Sequence, residues 1–278
     1  MIGIVLAALS GLVWGVGDFS GGKASQRADS LLVVVLSKAV SLPAVALYLV
    51  LIPGTPHARA IGWGAAAGVL GVLGMFVFYR ALAAGAMAIV APVSAVTTAL
   101  IPVAFGLAAG ERPGTLALAG AACAIAAIGL VSAAGGSGGP VTGRLVGLAL
   151  LSGAAFGLFF TCLSRAGDDA GLWPIAGAQV AAIALGAPFA LLRLRRDGLR
   201  LDPSSRRWLA SAGLLDMSAN ALYVLAVTRG DLSIIAPIAA LYPVSTVLLA
   251  MLVDRERLRP VQLAGLGLAA TALVLVAS

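Results

Sequence analysis

Few side chains in this sequence can do chemistry, and two of them stand where charge is unfavourable. Lys38 and Asp216 each lie well inside an apolar run. An ionised group near the middle of a bilayer costs about 2.5–3.5 kcal/mol by insertion scales, so such residues pair, line a cavity or carry a function. Lys38 comes seven residues after the start of its run at 31–52, about 10 Å deep as helix. Asp216 comes nine residues after the start of its run at 207–227, about 13 Å deep. Both depths count from the same face, so an ion pair or a shared water site is open to them. The plainer readings are a snorkelling lysine and a buried structural acid. Asp18, near the end of the first run and shallower on that face, is a third member of the group or an interfacial helix-end residue.

Asn220 follows Asp216 by four residues and Tyr223 by seven, which puts an acid, an amide and a phenol on one helix face. Such a stripe lines a cavity or bonds to a neighbouring helix. Trp14 and Tyr79 either stack on a ligand or face lipid. Pro102 and Pro243 interrupt two further runs, and Pro92 and Pro237 stand near the starts of the same two. Each proline removes a donor and frees a carbonyl, making a hinge, a cavity-facing backbone or an ordinary kink. Thr97, Thr98, Tyr242, Ser245 and Thr246 cluster around them, as cavity groups or as hydroxyls bonded back to their own helix. Gly15-Val16-Gly17-Asp18 also matches the G-x-G-D of intramembrane aspartyl proteases, with Asp216 as second acid. Its order along the chain is reversed relative to those enzymes, and no P-A-L follows. The lone histidine, His57, is in a loop, and Cys123 and Cys162 sit inside apolar runs. No catalytic set, metal site or cofactor is predicted.

The elements that must hold these residues follow from composition. Of 278 residues 61% are hydrophobic and 10% charged, and the mean hydropathy is +1.07. A soluble domain carries about a quarter charged residues, so soluble enzymes, nucleic-acid binders and disordered chains are excluded. The net charge of +7 is spread through loops between apolar runs, as anionic headgroups favour. The runs are continuous rather than alternating, which excludes a barrel. They fall at 2–20, 31–52, 60–80, 86–108, 114–134, 143–163, 172–193, 207–227, 232–252 and 260–277. The first carries no basic leader or cleavage signal and reads as a retained span. The 35 glycines suit close helix packing in lipid.

The chain repeats itself. At an offset of 145, Pro43 meets Pro188, Gly68 meets Gly213, Ile89-Val90-Ala91-Pro92 meets Ile234-Ile235-Ala236-Pro237, and Glu111-Arg112 meets Glu256-Arg257. At 142, Ser10-Gly11 and Trp14-Gly15 meet Ser152-Gly153 and Phe156-Gly157. Five spans per copy make the second copy enter from the opposite face, the inverted arrangement of secondary transporters. The prediction is one all-α polytopic membrane domain of ten transmembrane helices in two inverted five-helix repeats, 1–134 and 143–278, joined by a linker at 135–142.

Trp14-Gly15 followed by Phe19 and Lys23, Tyr79-Arg80-Ala81-Leu82 leading to Ile89-Val90-Ala91-Pro92-Val93-Ser94-Ala95, and the closing Gly110-Glu111-Arg112-Pro113 together resemble EamA-type proteins of the drug/metabolite transporter superfamily. The resemblance runs over both halves. It implies a central cavity between the repeats and export or exchange of small metabolites, often amino acids, by alternating access. It does not imply an aromatic substrate, because residues 92–98 lack the aromatic side chains of the exporters that take one. The expected partners are a small-molecule substrate, the lipid bilayer and protons as coupling ion, with no nucleic acid; a scaffold protein is the alternative. Asp216, whose repeat position is Gly71, is the expected coupling residue or holder of a cationic group. The plasma (inner) membrane is the expected location. Loops after odd-numbered spans carry 13 Lys and Arg against 4 after even-numbered ones, which places both termini outside the cytoplasm. The resemblance places them inside.

Overall fold

A computed structural model describes residues 1–84, 87–108, 114–133, 142–163, 165–197, 202–229, 238–239 and 242–276. Their regular structure is helical: α1 (Ile2–Ser25), α2 (Ser30–Val40), α3 (Leu42–Leu51), α4 (Ala58–Ala83), α5 (Met87–Ala108), α6 (Thr115–Ala133), α7 (Gly143–Leu163), α8 (Trp173–Asp197), α9 (Pro203–Val227), α10 (Pro243–Val253) and α11 (Pro260–Val276). Among the described residues, six segments are long and apolar enough to cross a membrane, with α2 and α3 counting as one, and shorter apolar helices accompany them. Large apolar side chains such as Val50, Ile125, Val180 and Leu252 stand exposed on the outer surface. That surface suits lipid rather than water, and the protein is a multi-pass membrane protein.

Local chemistry sets several helix starts. The Asp29 carboxylate accepts from Leu31 N at 2.9 Å and Leu32 N at 3.2 Å to begin α2. His57 Nδ1 accepts from Ala60 N at 3.1 Å to begin α4, and Asp202 accepts from Ser205 N at 3.1 Å to begin α9. These side chains satisfy amide groups that a helix leaves without partners. The start of α5 is served from far away in sequence. Both oxygens of Glu256 accept there, from Met87 N and Ala88 N, each at 3.0 Å.

The predicted span 31–52 is one crossing made of two helices. It breaks at Ser41 because Pro43, at the start of α3, has no amide to donate. Ser41 Oγ donates to the Lys38 carbonyl at 2.9 Å, and Gln179 of α8 donates to Ser41 Oγ. Pro243 likewise opens α10 rather than interrupting a helix. Pro92 and Pro102 lie within α5, while Pro237 lies outside the described residues.

Glycines let the helices approach backbone to backbone, in reciprocal pairs that follow the sequence offsets. Gly11 of α1 packs on the backbone of Ala239, and its counterpart Gly153 of α7 packs on Ser94 of α5. Gly15 meets Tyr242, Ser245 and Thr246, and its counterpart Gly157 meets Thr98 and Ile101. Gly68 of α4 rests on Ala178 of α8, and Gly213 of α9 rests on Ser37 of α2. A Cβ at these positions would press on backbone, so small residues set the spacing. Each half thus packs its leading helix against the other half. The largest buried cluster, which includes Phe19, Val33, Phe78, Tyr79 and Met87, lies where these pairs converge.

Candidate functional site

A cavity of about 820 Å³, counting its open mouth, lies among α1, α2, α4, α7, α8 and α9. Small residues make the space: Gly68 and Gly71 of α4 and Ala178 of α8 line it. Trp14, Val72, Met75, Phe156, Phe159, Phe160 and Ile175 supply apolar wall. Its polar groups are Asp18, Lys38, Gln179, Asp216 and Asn220.

Lys38 Nζ donates to Asp216 Oδ2 at 3.1 Å, with side chains 15% and 20% exposed. The pair joins α2 of the first half to α9 of the second. Asp18, from α1, faces the same space and interacts with both charges electrostatically. The three groups make one ion pair plus one acid. With a lysine on the second acid, they do not form two acids sharing a proton, as an aspartyl protease requires.

Of the predicted site residues, Trp14, Asn220 and Tyr242 line the cavity beside Asp18, Lys38 and Asp216. The Asn220 amide donates back to the Asp216 carbonyl at 2.8 Å. Tyr223 does not line the wall but packs tilted against Trp14, with ring centroids 5.8 Å apart, while Tyr242 meets Trp14 edge-on at 6.5 Å. Tyr79 is buried against Gly21 and borders a small adjoining pocket that shares Lys38, Gln179 and Asp216. Thr97 and Thr98 stand away from the cavity, where their hydroxyls donate to the Val93 and Ser94 carbonyls at 2.8 and 2.9 Å. Ser245 and Thr246 donate to the carbonyls of Leu12 and Gly15, at 3.1 and 3.0 Å, and so fasten α10 to α1.

Among the wall residues that the sequence does not single out as site residues, two carry a signal there. Phe156 is the repeat counterpart of Trp14, and the pair lines the cavity together. Gln179 is the one amide inside the run 172–193, and through Ser41 it stabilises the break beside Lys38.

At the face where α1 ends, the halves are tied by charge. Lys23 Nζ lies 2.6 Å from Asp254 Oδ1, next to the Glu256 cap on α5. Burial pushes the Glu256 carboxyl above its ordinary range, while the amides of Ala88 and Met87 pull it back down. Nearby, Asp202 is held below its ordinary range, first by its hydrogen bonds to Ser205. At the other face, the loop 52–57 meets the loop 165–172. There His57 Nε2 lies 3.3 Å from Asp169 Oδ1, Arg59 Nε donates to the Arg165 carbonyl at 3.0 Å, and Trp173 Nε1 donates to the Gly54 carbonyl at 3.2 Å.

The sequence model of the EamA-like transporter family matches this chain twice, over residues 1–133 and 143–278. No curated protein matches it. A solved crystal structure of a protein 17% identical is similar in fold, with a TM-score of 0.60 over 99% of this chain and 97% of that one.

Proposed function

Because the chain belongs to the EamA-like transporter family, we propose that it is a secondary-active transporter that exports or exchanges small metabolites by alternating access through the cavity between its halves. The observation that carries this reading is the Lys38–Asp216 pair, which is contributed by both halves and faces a cavity lined by both. A charge pair across a movable seam gives solute or proton something to break, so binding can favour one arrangement of the halves over another.

The halves are read as inverted five-span repeats. Arg27 lies 3.6 Å from Asp202 and Lys38 lies 3.1 Å from Asp216, so α9 runs parallel to α2. The short connection 52–57 turns α4 back against α2 and α3, and α9 therefore runs opposite to α4, its counterpart. The reciprocal glycine pairs support the same relation. Ten crossings complete the reading, with residues 109–113 and 230–237 outside the described residues.

Trp14, Asn220 and Tyr242 are the proposed substrate contacts, with Asp216 as the coupling acid. Tyr79, Tyr223, Thr97 and Thr98 act at one remove, by holding the wall. Pro92, Pro102, Pro237 and Pro243 remain proposed hinge points of the fourth and ninth spans. No step calls for a cofactor or covalent chemistry.

The test is solute counterflow in liposomes holding purified protein, over a broad metabolite panel at several pH values. The expected result is accumulation of at least one solute with a pH dependence that Asp216→Asn abolishes, the variant still inserting in the membrane. No movement of any solute would refute transport. Movement with unchanged pH dependence in Asp216→Asn would remove Asp216 from coupling.

A further inference from the structure

We infer that the cavity selects a monocation with an apolar or aromatic body, and that Asp18 is the residue that receives its positive end. This deepens the transport reading and rests on it for the site. The wall carries Asp18, Asp216 and Lys38 as its ionisable side chains of acid and base type, and Lys38 is committed to Asp216 at 3.1 Å. One carboxylate remains over. Among the described residues, no hydrogen bond or ion pair satisfies Asp18.

The amides near it are spoken for. The Gln179 amide donates to Ser41 and the Asn220 amide to the Asp216 carbonyl. An anionic solute would meet an extra acid and no free cation. A cation would give Asp18 a charged donor and leave the cavity neutral with that acid ionised, which a poorly hydrated space strongly favours.

The shape of the wall agrees. Trp14 precedes Asp18 by four residues on α1, so the indole stands one helical turn from the carboxylate on the same face. Its ring packs against Tyr223 and Tyr242. An ammonium or guanidinium that reaches Asp18 therefore passes the face of a fixed aromatic group, a favourable cation–π position. Phe156 and Phe159 offer apolar surface for the rest of the molecule.

The test uses isothermal titration of the purified full chain with three probes of one shape: 2-phenylethylamine, 2-phenylethanol and 3-phenylpropionate, at pH 7. The amine is expected to bind at least about tenfold tighter than the other two. Asp18→Asn should erase that preference and Asp18→Glu should retain it. Comparison of the three probes on the unaltered protein decides the matter even if a variant fails to fold. Carboxylate or alcohol binding as tight as the amine overturns the inference, as does an amine preference that survives Asp18→Asn, or no binding of any probe at millimolar concentration. Amine binding without counterflow in liposomes would sink the transport reading and leave this inference standing. Counterflow of the carboxylate in preference to the amine would do the reverse.

Discussion

Removing Lys38 should hurt this protein more than removing Asp216, although the two residues form one pair. At 3.1 Å the Coulomb attraction is about 5 kcal/mol at an effective dielectric of 20 and about 1.3 kcal/mol in water. Both side chains are less than a quarter exposed, at 15% and 20%, so the environment lies nearer the first limit. Breaking a buried pair by deleting one partner costs about 3–5 kcal/mol, because a charge is left uncompensated. Lys38→Met leaves two acids, Asp18 and Asp216, in one cavity with no cation. About 3 kcal/mol is the expected loss, which at 2–4 °C per kcal/mol is about 6–12 °C in melting temperature. Asp216→Asn leaves Lys38 able to turn toward Asp18 on the same wall, and the expected loss is about 1 kcal/mol, or 2–4 °C. The double variant Lys38→Met/Asp216→Asn removes both charges and should recover part of the Lys38→Met loss, with a coupling of at least about 1.5 kcal/mol. The assay is apparent melting in detergent at pH 7, followed by size-exclusion with fluorescence detection. A larger loss for Asp216→Asn than for Lys38→Met, or losses that simply add in the double variant, would refute the reasoning.

Burial raises the folded-state pKa of Glu256 above its ordinary value of 4.5, so the folded protein holds that proton more tightly than the unfolded chain. Its contribution to stability is then full below about 4.5 and declines as pH rises through the folded value. Glu256→Gln should flatten that part of a melting-temperature-against-pH curve, and an unchanged curve would count against the assignment. Gly213→Val should lower the yield of monodisperse protein sharply, because its Cβ meets the Ser37 backbone, which cannot move aside; overpacking of this kind costs about 1–3 kcal/mol or more. Gly62→Ala, with open space around the added carbon, should be neutral or stabilise by up to about 1 kcal/mol. A cysteine placed near Arg195 should resist an impermeant reagent in whole cells if the basic loops face the cytoplasm, and rapid labelling would reverse the orientation drawn from the Lys and Arg count.

The pairing of Lys38 with Asp216 was legible because helical rise turns sequence position into depth, and two charges at one depth in an apolar medium have strong reason to meet. Trp14 was legible as a candidate, but its partner Phe156 was recorded only as a repeat match, since apolar aromatic residues in a span carry no local sign of facing inward. For Thr97 and Thr98 the sequence left two readings open for the converse reason. A hydroxyl can satisfy itself on its own helix, so its presence does not reveal a polar space. The break at Ser41 was hidden because Pro43 near the middle of an apolar run reads equally as a kink. Its resolution depends on Gln179, 138 residues away. The Glu256 cap on α5 was invisible on similar grounds: the helix start it serves lies about 170 residues earlier, and sequence patterns describe caps only at short range.

The exchange of partners between the halves also has a consequence for how the molecule is made. α1 is made well before the segments it packs on, since Ser10, Gly11 and Gly15 find their contacts on Ala219, Ala239 and Tyr242, more than two hundred residues later in synthesis. Until those segments arrive, its small-residue face is bare to lipid. The first half therefore cannot reach its final packing by itself, and closure of the fold must wait for the second half to insert. Proteins dominated by such distant contacts form slowly and expose unfinished surfaces meanwhile. Truncation after the linker should consequently yield an inserted but loosely associated bundle that is open to quality-control proteolysis, whereas the two halves produced as separate chains in one membrane retain every surface needed to find each other.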